Sequence, residues 1–394
     1  MYKTYKVMLV PNNKQITRFF RMAGAARFIY NWALAEQRDN YRNGKKFIRP
    51  FEMMKRLTKL KELQEYSWLN EFSRDLLNQA ITDACNAFIR FFERINHYPK
   101  FKSKRKSKPS FANKYNKIKI SAKHVTLEKI SLSARQNKKI KNRIRLAEKG
   151  RIPIGENVEY YNPRIYFDGL NWWLSVSVKV ETNKMDLKEE GIGIGIDLGV
   201  VDLAVTSENK RYANINRTDI VLRLEKKLKR LQRQLSKKFE MNKVEGRMVR
   251  TKNINKLKLQ IRKLHKRLRN IRLNHIRKVI NEIINRKPRF IAMEDLNVKL
   301  MMKNKHRAKQ IQRQCFFVFR NLMEFKCKLF GIEFILVNRY FPSSKKCSHC
   351  KVIKKDLKGW MRTFKCICGN TINRDYHAAI NLKEWAINKF NSTY

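Results

Sequence analysis

GIGIGIDLGVVDLAVTS, residues 191–207, decides the fold of the second half of this chain. It is the least charged run in a protein otherwise crowded with lysine and arginine. Alternating Gly and Ile leave too little side chain to fill both faces of a sheet edge, so the run fits a strand packed closely by its neighbours and ending at Asp197. The chain then turns through LAVTS, a polar tip at Glu208 to Lys210, and RYANI, a hairpin that extends the sheet. A helical pair follows between about Thr218 and Arg286, then the strand FIAMEDL (290–296), a helix from about Lys309 to Phe330, the strand EFILVNR (333–339), a cysteine cluster and a last helix starting near Asp375. Strand, hairpin, helices, strand, helix, strand and helix is the order of an α/β domain with a mixed central sheet.

Three carboxylates fall where such a sheet can use them. Asp197 ends the first strand, Glu294 ends FIAMEDL, and Asp375 opens the final helix in NRDYHAAINL. Strand ends on one side of an open sheet converge on a common crevice. Three acids brought together repel one another unless cations sit between them. Two Mg²⁺ ions about 3.5 to 4 Å apart take oxygen ligands and stabilise the attacking and leaving oxygens of a phosphodiester, which predicts a two-metal nuclease site. Asp295 points to the opposite strand face and reads as structural, and Asp202 belongs to the hairpin turn. A phosphate loop of the sugar-kinase and actin type also uses GIDLG, but it needs further glycine-rich loops. The chain has 13 glycines in 394 residues, about half the usual ~7%, and no second glycine loop.

Composition names the class of partner. Lys+Arg number 90 against 33 Asp+Glu, a formal net charge of +57 that solubility alone does not explain. The partner is a polyanion. The sequence contains no run of eighteen apolar residues, hydrophobic signal segment or lipidation motif, so membrane attachment is not expected and the chain reads as soluble and cytosolic. With 43% hydrophobic residues it can bury real cores and is no disordered basic tail.

The first half divides by texture. Residues 3–10 read as a strand, and Pro11 with Asn13 caps a long helix with Phe19, Met22, Ala26, Ile29 and Ala33 at helical spacing. Phe28, Tyr30 and Trp32 fall at the same spacing and belong to the core. A second helical block runs from about Phe51 to Ile95. KFKSKRKSKPS (100–110) reads as a loop lying on phosphate. IKISAKHVTLEKI and PRIYFDGLNWWLSVSVKVE then carry period-two alternation, with Asp168-Gly169 as a hairpin turn, so a small β-barrel or sheet is expected before the linker ETNKMDLKEE.

The helical pair carries Leu224, Leu228, Leu231 and Leu235, then Ile254, Leu257, Ile261, Leu264, Leu268 and Ile271, spaced as in a short coiled coil with Lys, Arg, Gln and Asn off the seam. Its basic faces and the loop give the candidate phosphate contacts: Lys100, Lys102, Lys104, Arg105, Lys106, Lys226, Lys227, Arg230, Lys256, Arg262, Lys266 and Arg267.

Of seven cysteines, four cluster late. Cys347 and Cys350, fifteen intervening residues, then Cys366 and Cys368 give two thiolate pairs at zinc-ribbon spacing, which predicts one tetrahedral structural Zn²⁺. The second pair has a single intervening residue, and Lys351 stands where a turn glycine is expected. His349 or His377 is an alternative ligand. Cys85, Cys315 and Cys327 sit in apolar helical contexts and read as core.

GIDLGVVDLAVTS, IAMEDLNVK, YFPSSKKCSHC and CGNTINRDYHAAINL, with RFIYNWALAEQRDNY and PKFKSKRKSKPSF upstream, resemble the motifs of the TnpB family, the transposon-encoded relatives of compact CRISPR effectors. The resemblance covers nearly the whole chain. It implies a multidomain α+β protein: a wedge (WED) β-barrel from residues 1–10 and 110–190, a helical recognition (REC) domain at 11–109, and an RNase H-like (RuvC) α/β nuclease domain at 191–394. A zinc-ribbon target-nucleic-acid-binding insert lies at 345–370 of that domain. The family acids map onto Asp197, Glu294 and Asp375. The implied activity is metal-dependent, RNA-guided cleavage of double-stranded DNA beside a short adjacent motif, with a guide RNA (ωRNA) from the transposon end. A compact CRISPR-associated effector, a non-cleaving regulator and a transposase are the competing readings. A monomer, cytoplasmic and associated with the nucleoid of a bacterium or archaeon, is the favoured setting.

Overall fold

The computed structural model describes residues 1–128, 130, 141–181, 193–244, 247–248, 251–358 and 360–391. The chain separates into two compact units, Met1–Val180 and Glu181–Tyr394. The linker read at 181–190 lies outside the described residues beyond Glu181, as do Gly191, Ile192 and residues 131–140.

The first unit starts with strand β1 (Tyr2–Val10) and the 30-residue helix α1 (Asn13–Arg42). The cap is Asn12, where the sequence reading put Pro11 and Asn13: its side chain accepts from the Gln15 amide while Gln15 Oε1 accepts from the Asn12 amide, both at 2.9 Å, a capping box. Phe19, Met22, Ala26, Ile29 and Ala33 are all buried, as their spacing requires. Helix α2 (Pro50–Leu60), a 3-10 segment (Gln64–Glu71) and α3 (Arg74–Phe92) complete the helical part, with Cys85 in its core. Tyr30 is buried, and Phe28 and Trp32 pack against the same core.

Strands β2 (Ser110–Ala112), β3 (Lys119–Ile120), β4 (His124–Thr126), β5 (Arg143–Leu146), β6 (Tyr160–Phe167) and β7 (Trp172–Lys179) join β1 in a seven-stranded antiparallel sheet of order β2-β6-β7-β1-β5-β4-β3. Between β6 and β7 the Asp168 carboxylate accepts from the amides of Leu170 and Asn171 and from Trp173 Nε1, while Gly169 takes φ 93°, the left-handed value a hairpin turn favours. The expected barrel is corrected to an open sheet. Its edge strands β2 and β3 are three and two residues long and do not pair with each other, so no seam closes among the described residues.

In the second unit β8 (Ile194–Leu198), β9 (Asp202–Thr206) and β10 (Arg211–Ala213) precede two long helices, α4 (Asp219–Met241) and α5 (Lys252–Ile284). The two-residue strands β11 (Lys243–Val244) and β12 (Arg247–Met248) pair between them. Then come β13 (Phe290–Glu294), α6 (Val298–Met301), α7 (Lys305–Gln314), α8 (Phe316–Phe330), β14 (Glu333–Val337), the hairpin β15 (Thr363–Lys365) and β16 (Thr371–Asn373), and α9 (Arg374–Asn391). The central sheet has order β10-β9-β8-β13-β14, with β13 parallel to both β8 and β14, and β9 antiparallel to β8 and β10.

Each face of this sheet has its own helices. Ile194, Ile196, Ile291 and Met293 bury against Ile276, Val279, Ile280 and Ile283 of α5 and Phe319 and Met323 of α8. Phe290, Ala292, Ile335 and Val337 bury against Leu382 and Ala386 of α9. The rest of α5 pairs with α4 along the predicted seam of Leu224, Leu228, Leu231, Leu235, Leu257, Ile261, Leu264, Leu268 and Ile271. Glu225 ties the base of this pair down, accepting from Arg272 at 2.8 Å and from Arg313 of α7. The single helix expected over 309–330 is two helices, because Cys315 adopts φ 55°, a left-handed conformation that ends α7. Cys315 therefore stands between two helices and not inside one, while still packing, partly buried, against the core of the central sheet as its apolar setting predicted. No helix among the described residues is long and apolar enough to cross a membrane.

Candidate active site and metal centre

Parallel pairing of β8 with β13 sets Ile196 opposite Met293, so Asp197 and Glu294 leave neighbouring strands at the same level. Side chains two residues apart share a face. Asp197 therefore shares the face of Gly195, and Glu294 the face of Ala292, on which α9 packs. Asp375 stands in the first turn of α9. The glycine at 195 is what lets that helix come close: a Cβ there would lie 2.0 Å from the Ala379 carbonyl oxygen and 2.8 Å from the Lys383 nitrogen. At 193 a Cβ would strike the Phe290 ring at 1.9 Å. The glycine-rich strand thus brings α9, and with it Asp375, down onto the sheet.

Asp197 keeps some solvent contact, yet desolvation by surrounding protein, then the charges of Asp375 and Glu294, push its carboxyl up to about 8, against the pull of Arg374 and Arg362. Burial also raises Glu294, opposed by the hydroxyl of Ser343, 3.5 Å from its Oε1. Asp375 is buried, with Arg362 at 3.5 Å and Arg374 at 3.4 Å. Asp197 feels the charges of both other acids, and two arginines only partly offset them. An all-oxygen donor set with uncompensated negative charge fits a hard divalent cation and suits no soft metal. Asp295 turns the other way and binds Arg320 at 2.7 Å and Arg339. Asp202 is the first residue of β9.

The four late cysteines converge. Their Sγ atoms all lie within 4.8 Å of one another, with Cys347–Cys368 at 3.7 Å and Cys350–Cys366 at 3.5 Å. A tetrahedral zinc–thiolate site with bonds of about 2.3 Å has S···S edges of about 3.8 Å, so the cluster fits Zn²⁺ in spacing and chemistry despite the short second knuckle. The thiols also compete for one charge. Burial opposes ionisation of Cys347, but bonds from Asn370 and the amides of Cys350 and His349 draw it down to about 6. Cys350 has the Val352 amide in its favour, yet its neighbours Cys366, Cys368 and Cys347 and burial push it up to about 12. Lys351, at the position where a glycine is expected, takes φ 62°. It is held there by bonds from Nζ to the Ser348 carbonyl at 2.6 Å and to Glu384 at 2.7 Å.

His377 does not join the cysteines. It is fully buried, its Nε2 accepts from the Ser348 amide at 3.0 Å, and burial holds its pKa down near 4. Neither this role nor that of Asn381, which donates to the carbonyls of Ser343 and Lys346, was read from the sequence. The signal was available: His377, Asn381 and Glu384 form a polar stripe at i, i+4 and i+7 on a helix otherwise buried through Ala378, Ala379, Leu382 and Ala386.

The candidate phosphate contacts divide by exposure. Lys100, Lys104, Arg105, Lys106, Lys226, Lys227, Arg230, Lys256, Arg262 and Arg267 are exposed, and Lys266 is half-buried. Lys102 is turned inward, with Nζ 3.4 Å from the Tyr30 ring centroid and its backbone joined to Asn31 by two hydrogen bonds; burial lowers its pKa.

Three family models match the chain. One described as "Cas12f1-like, TNB domain" matches residues 316–382, the OrfB_IS605 model described as "Probable transposase" matches residues 175–305, and a "Helix-turn-helix domain" of the same OrfB_IS605 group matches residues 1–46. Over that last range the structure has β1 and one uninterrupted helix through Arg42. A Streptomyces pristinaespiralis protein provisionally named an RNA-guided DNA endonuclease is 25% identical, the match covering 96% of this chain and 88% of the relative. Escherichia coli InsQ, provisionally given the same name, is 25% identical over 96% of this chain and 91% of its own. Among solved structures, the Cas12f1–sgRNA–target DNA complex superposes with a TM-score of 0.62 at 17% identity, over 97% of this chain and 98% of that one, a likeness of fold.

Proposed function

We propose, from the premise that this chain belongs to the TnpB family, that it is an RNA-guided endonuclease cutting double-stranded DNA beside a short adjacent motif, with a guide RNA from the transposon end. The observation that carries the reading is the convergence of Asp197, Glu294 and Asp375 at one edge of a mixed sheet, with Asp197 held near 8 by burial and by the other two. In this reading residues 191–394 are the RNase H-like (RuvC) nuclease domain with the zinc-ribbon insert at 345–370. Residues 11–109 are the recognition helices, and 1–10 with 110–190 the wedge sheet. The protein acts as a monomer in the bacterial or archaeal cytoplasm, at the nucleoid.

Asp197, Glu294 and Asp375 would hold two Mg²⁺ ions, which supply a nucleophilic water and stabilise charge on the leaving oxygen of the scissile phosphodiester. The chain's own residues set the stage. β8 and β13 fix two carboxylates at one level, α9 delivers the third, and Ser343 orients Glu294 by donating to it. Arg362 and Arg374 hold Asp375 and add positive charge beside a site that must accept a phosphate. The cysteines would hold one structural Zn²⁺.

Two measurements test this. RNA bound to the protein purified from its native locus is sequenced; one discrete species, with a constant scaffold and an end matching DNA that flanks the element, is expected, and a heterogeneous smear of cellular RNA sinks guidance. Asp197→Ala and Glu294→Ala are expected to abolish cleavage of a matched duplex while guide and target binding persist. Full cleavage by either variant would remove the nuclease assignment from this site. The matched transposase description predicts strand-transfer products instead, which the same gel displays.

A further inference from the structure

The helix that carries Asp375 also holds the four-cysteine segment. His377, Asn381 and Glu384 lie on one face of α9, and each reaches that segment. The Ser348 amide, between the first two cysteines, donates to His377 Nε2 at 3.0 Å. Asn381 Nδ2 donates to the Ser343 and Lys346 carbonyls, both at 2.6 Å. Glu384 receives Lys351 Nζ at 2.7 Å, from the left-handed residue that closes the first knuckle. Phe364 of β15 lies on the His377 ring, centroids 4.2 Å apart.

The same segment reaches back to the acids. Ser343, whose carbonyl Asn381 holds, places its hydroxyl 3.5 Å from Glu294. Arg362, just before β15, contacts Asp375 at 3.5 Å and accepts the Arg374 amide on its carbonyl at 2.8 Å. His377 and Asn381 are 0% and 2% exposed, and His377 Nδ1 is buried without a hydrogen-bond partner among the described residues. An apolar side chain there would remove the unpartnered Nδ1 but would leave the Ser348 amide without this acceptor. What an imidazole adds is the acceptor that grips the knuckle's amide.

We propose that zinc occupancy of the cysteines and divalent-cation binding at the three carboxylates are thermodynamically linked, with His377 and Asn381 as the positioning residues that join the two sites. The identity of the carboxylate cation rests on the nuclease reading; the linkage does not need cleavage. By linkage the factor is reciprocal: whatever zinc does for the carboxylate cation, that cation does for zinc.

The test titrates Mn²⁺ into full-length protein by EPR, with Asp197→Ala as the blank, and follows Zn²⁺ transfer to a chromophoric chelator. Zinc-stripped wild type is expected to bind Mn²⁺ about tenfold or more weakly than zinc-loaded protein, and saturating Mn²⁺ to tighten zinc by the same factor. Stripped protein that fails to fold is bypassed by zinc-loaded variants. His377→Ala and Asn381→Ala are expected to weaken Mn²⁺ binding about tenfold. His377→Gln, whose side-chain carbonyl can accept the Ser348 amide, is expected to restore most of it. Variants that load zinc, fold, and bind Mn²⁺ within about twofold of wild type would overturn the linkage. Linked binding in a protein that cuts nothing overturns the nuclease reading and leaves the linkage standing. Cleavage without linkage overturns only the linkage. A wild type whose Mn²⁺ binding matches the Asp197→Ala blank overturns both.

Discussion

At the scale of single residues, Gly195 is as much a part of the candidate site as Asp197. The carboxylate is useful only where the first turn of α9 can meet it, and α9 lies so close to β8 that a single methyl group at 195 would overlap main-chain atoms of Ala379 and Lys383. Main chain cannot swing aside as a side chain does, so the helix itself must move. Gly195→Ala is therefore expected to cost more than the roughly 1–3 kcal/mol of ordinary overpacking, and a misplacement of Asp375 by about 1 Å to slow cleavage about 100-fold. Gly193→Ala meets the Phe290 ring instead. It should lower the thermal midpoint with a much smaller loss of rate. Melting curves and single-turnover cleavage of both variants check the contrast; equal losses of rate would mean the closeness of α9 is not what places Asp375. The glycine alternation and the terminal Asp were legible in the sequence because a strand's period is short. His377 was read as an alternative metal ligand; its spacing with Asn381 and Glu384 marks a polar stripe, but no spacing rule reveals that the partner of the buried histidine is the Ser348 amide.

Whole elements were readable where periodicity was long and failed where closure or a single dihedral decided. The leucine and isoleucine seam of α4 and α5 packs as its spacing demanded. The barrel did not, since alternation marks strands but says nothing of whether edge strands as short as β2 and β3 meet. The break between α7 and α8 turns on one left-handed residue, Cys315, in a stretch whose apolar pattern runs straight through. The seam also fixes a stability prediction. Leu268 is 2% exposed within it, and Leu268→Ala should cost about 2–5 kcal/mol in the unfolding of this unit. Leu259, on the same helix and 42% exposed, should cost less than about 0.5 kcal/mol when made Ala. Denaturant titration of the pair decides it, and similar costs would mean that α4 and α5 are not held together by this seam.

At the scale of the whole molecule, a net charge of +57 predicts strong binding to any nucleic acid, and the useful question is which cations touch phosphate. Each phosphate contact releases counterions, so log affinity falls linearly with log salt, by about 0.9 per contact on duplex DNA and about 0.7 on a single strand. Lys104, Arg105 and Lys106 are exposed in the basic loop, whereas Lys102 is half-buried, its ammonium over the Tyr30 ring and its backbone tied to Asn31. Replacing the three exposed residues together with Ala should reduce the salt slope by about 2 to 3 and leave the thermal midpoint nearly unchanged. Lys102→Ala should do the reverse, leaving the slope alone and lowering the midpoint, because what it removes is packing and a cation–π contact. The same triple replacement at Lys226, Lys227 and Arg230, exposed on α4, asks the question of the helical pair. Affinity measured between about 50 and 200 mM salt separates the cases. A slope unchanged by either triple variant would assign that basic face to solvent and place the phosphate contacts elsewhere on the protein.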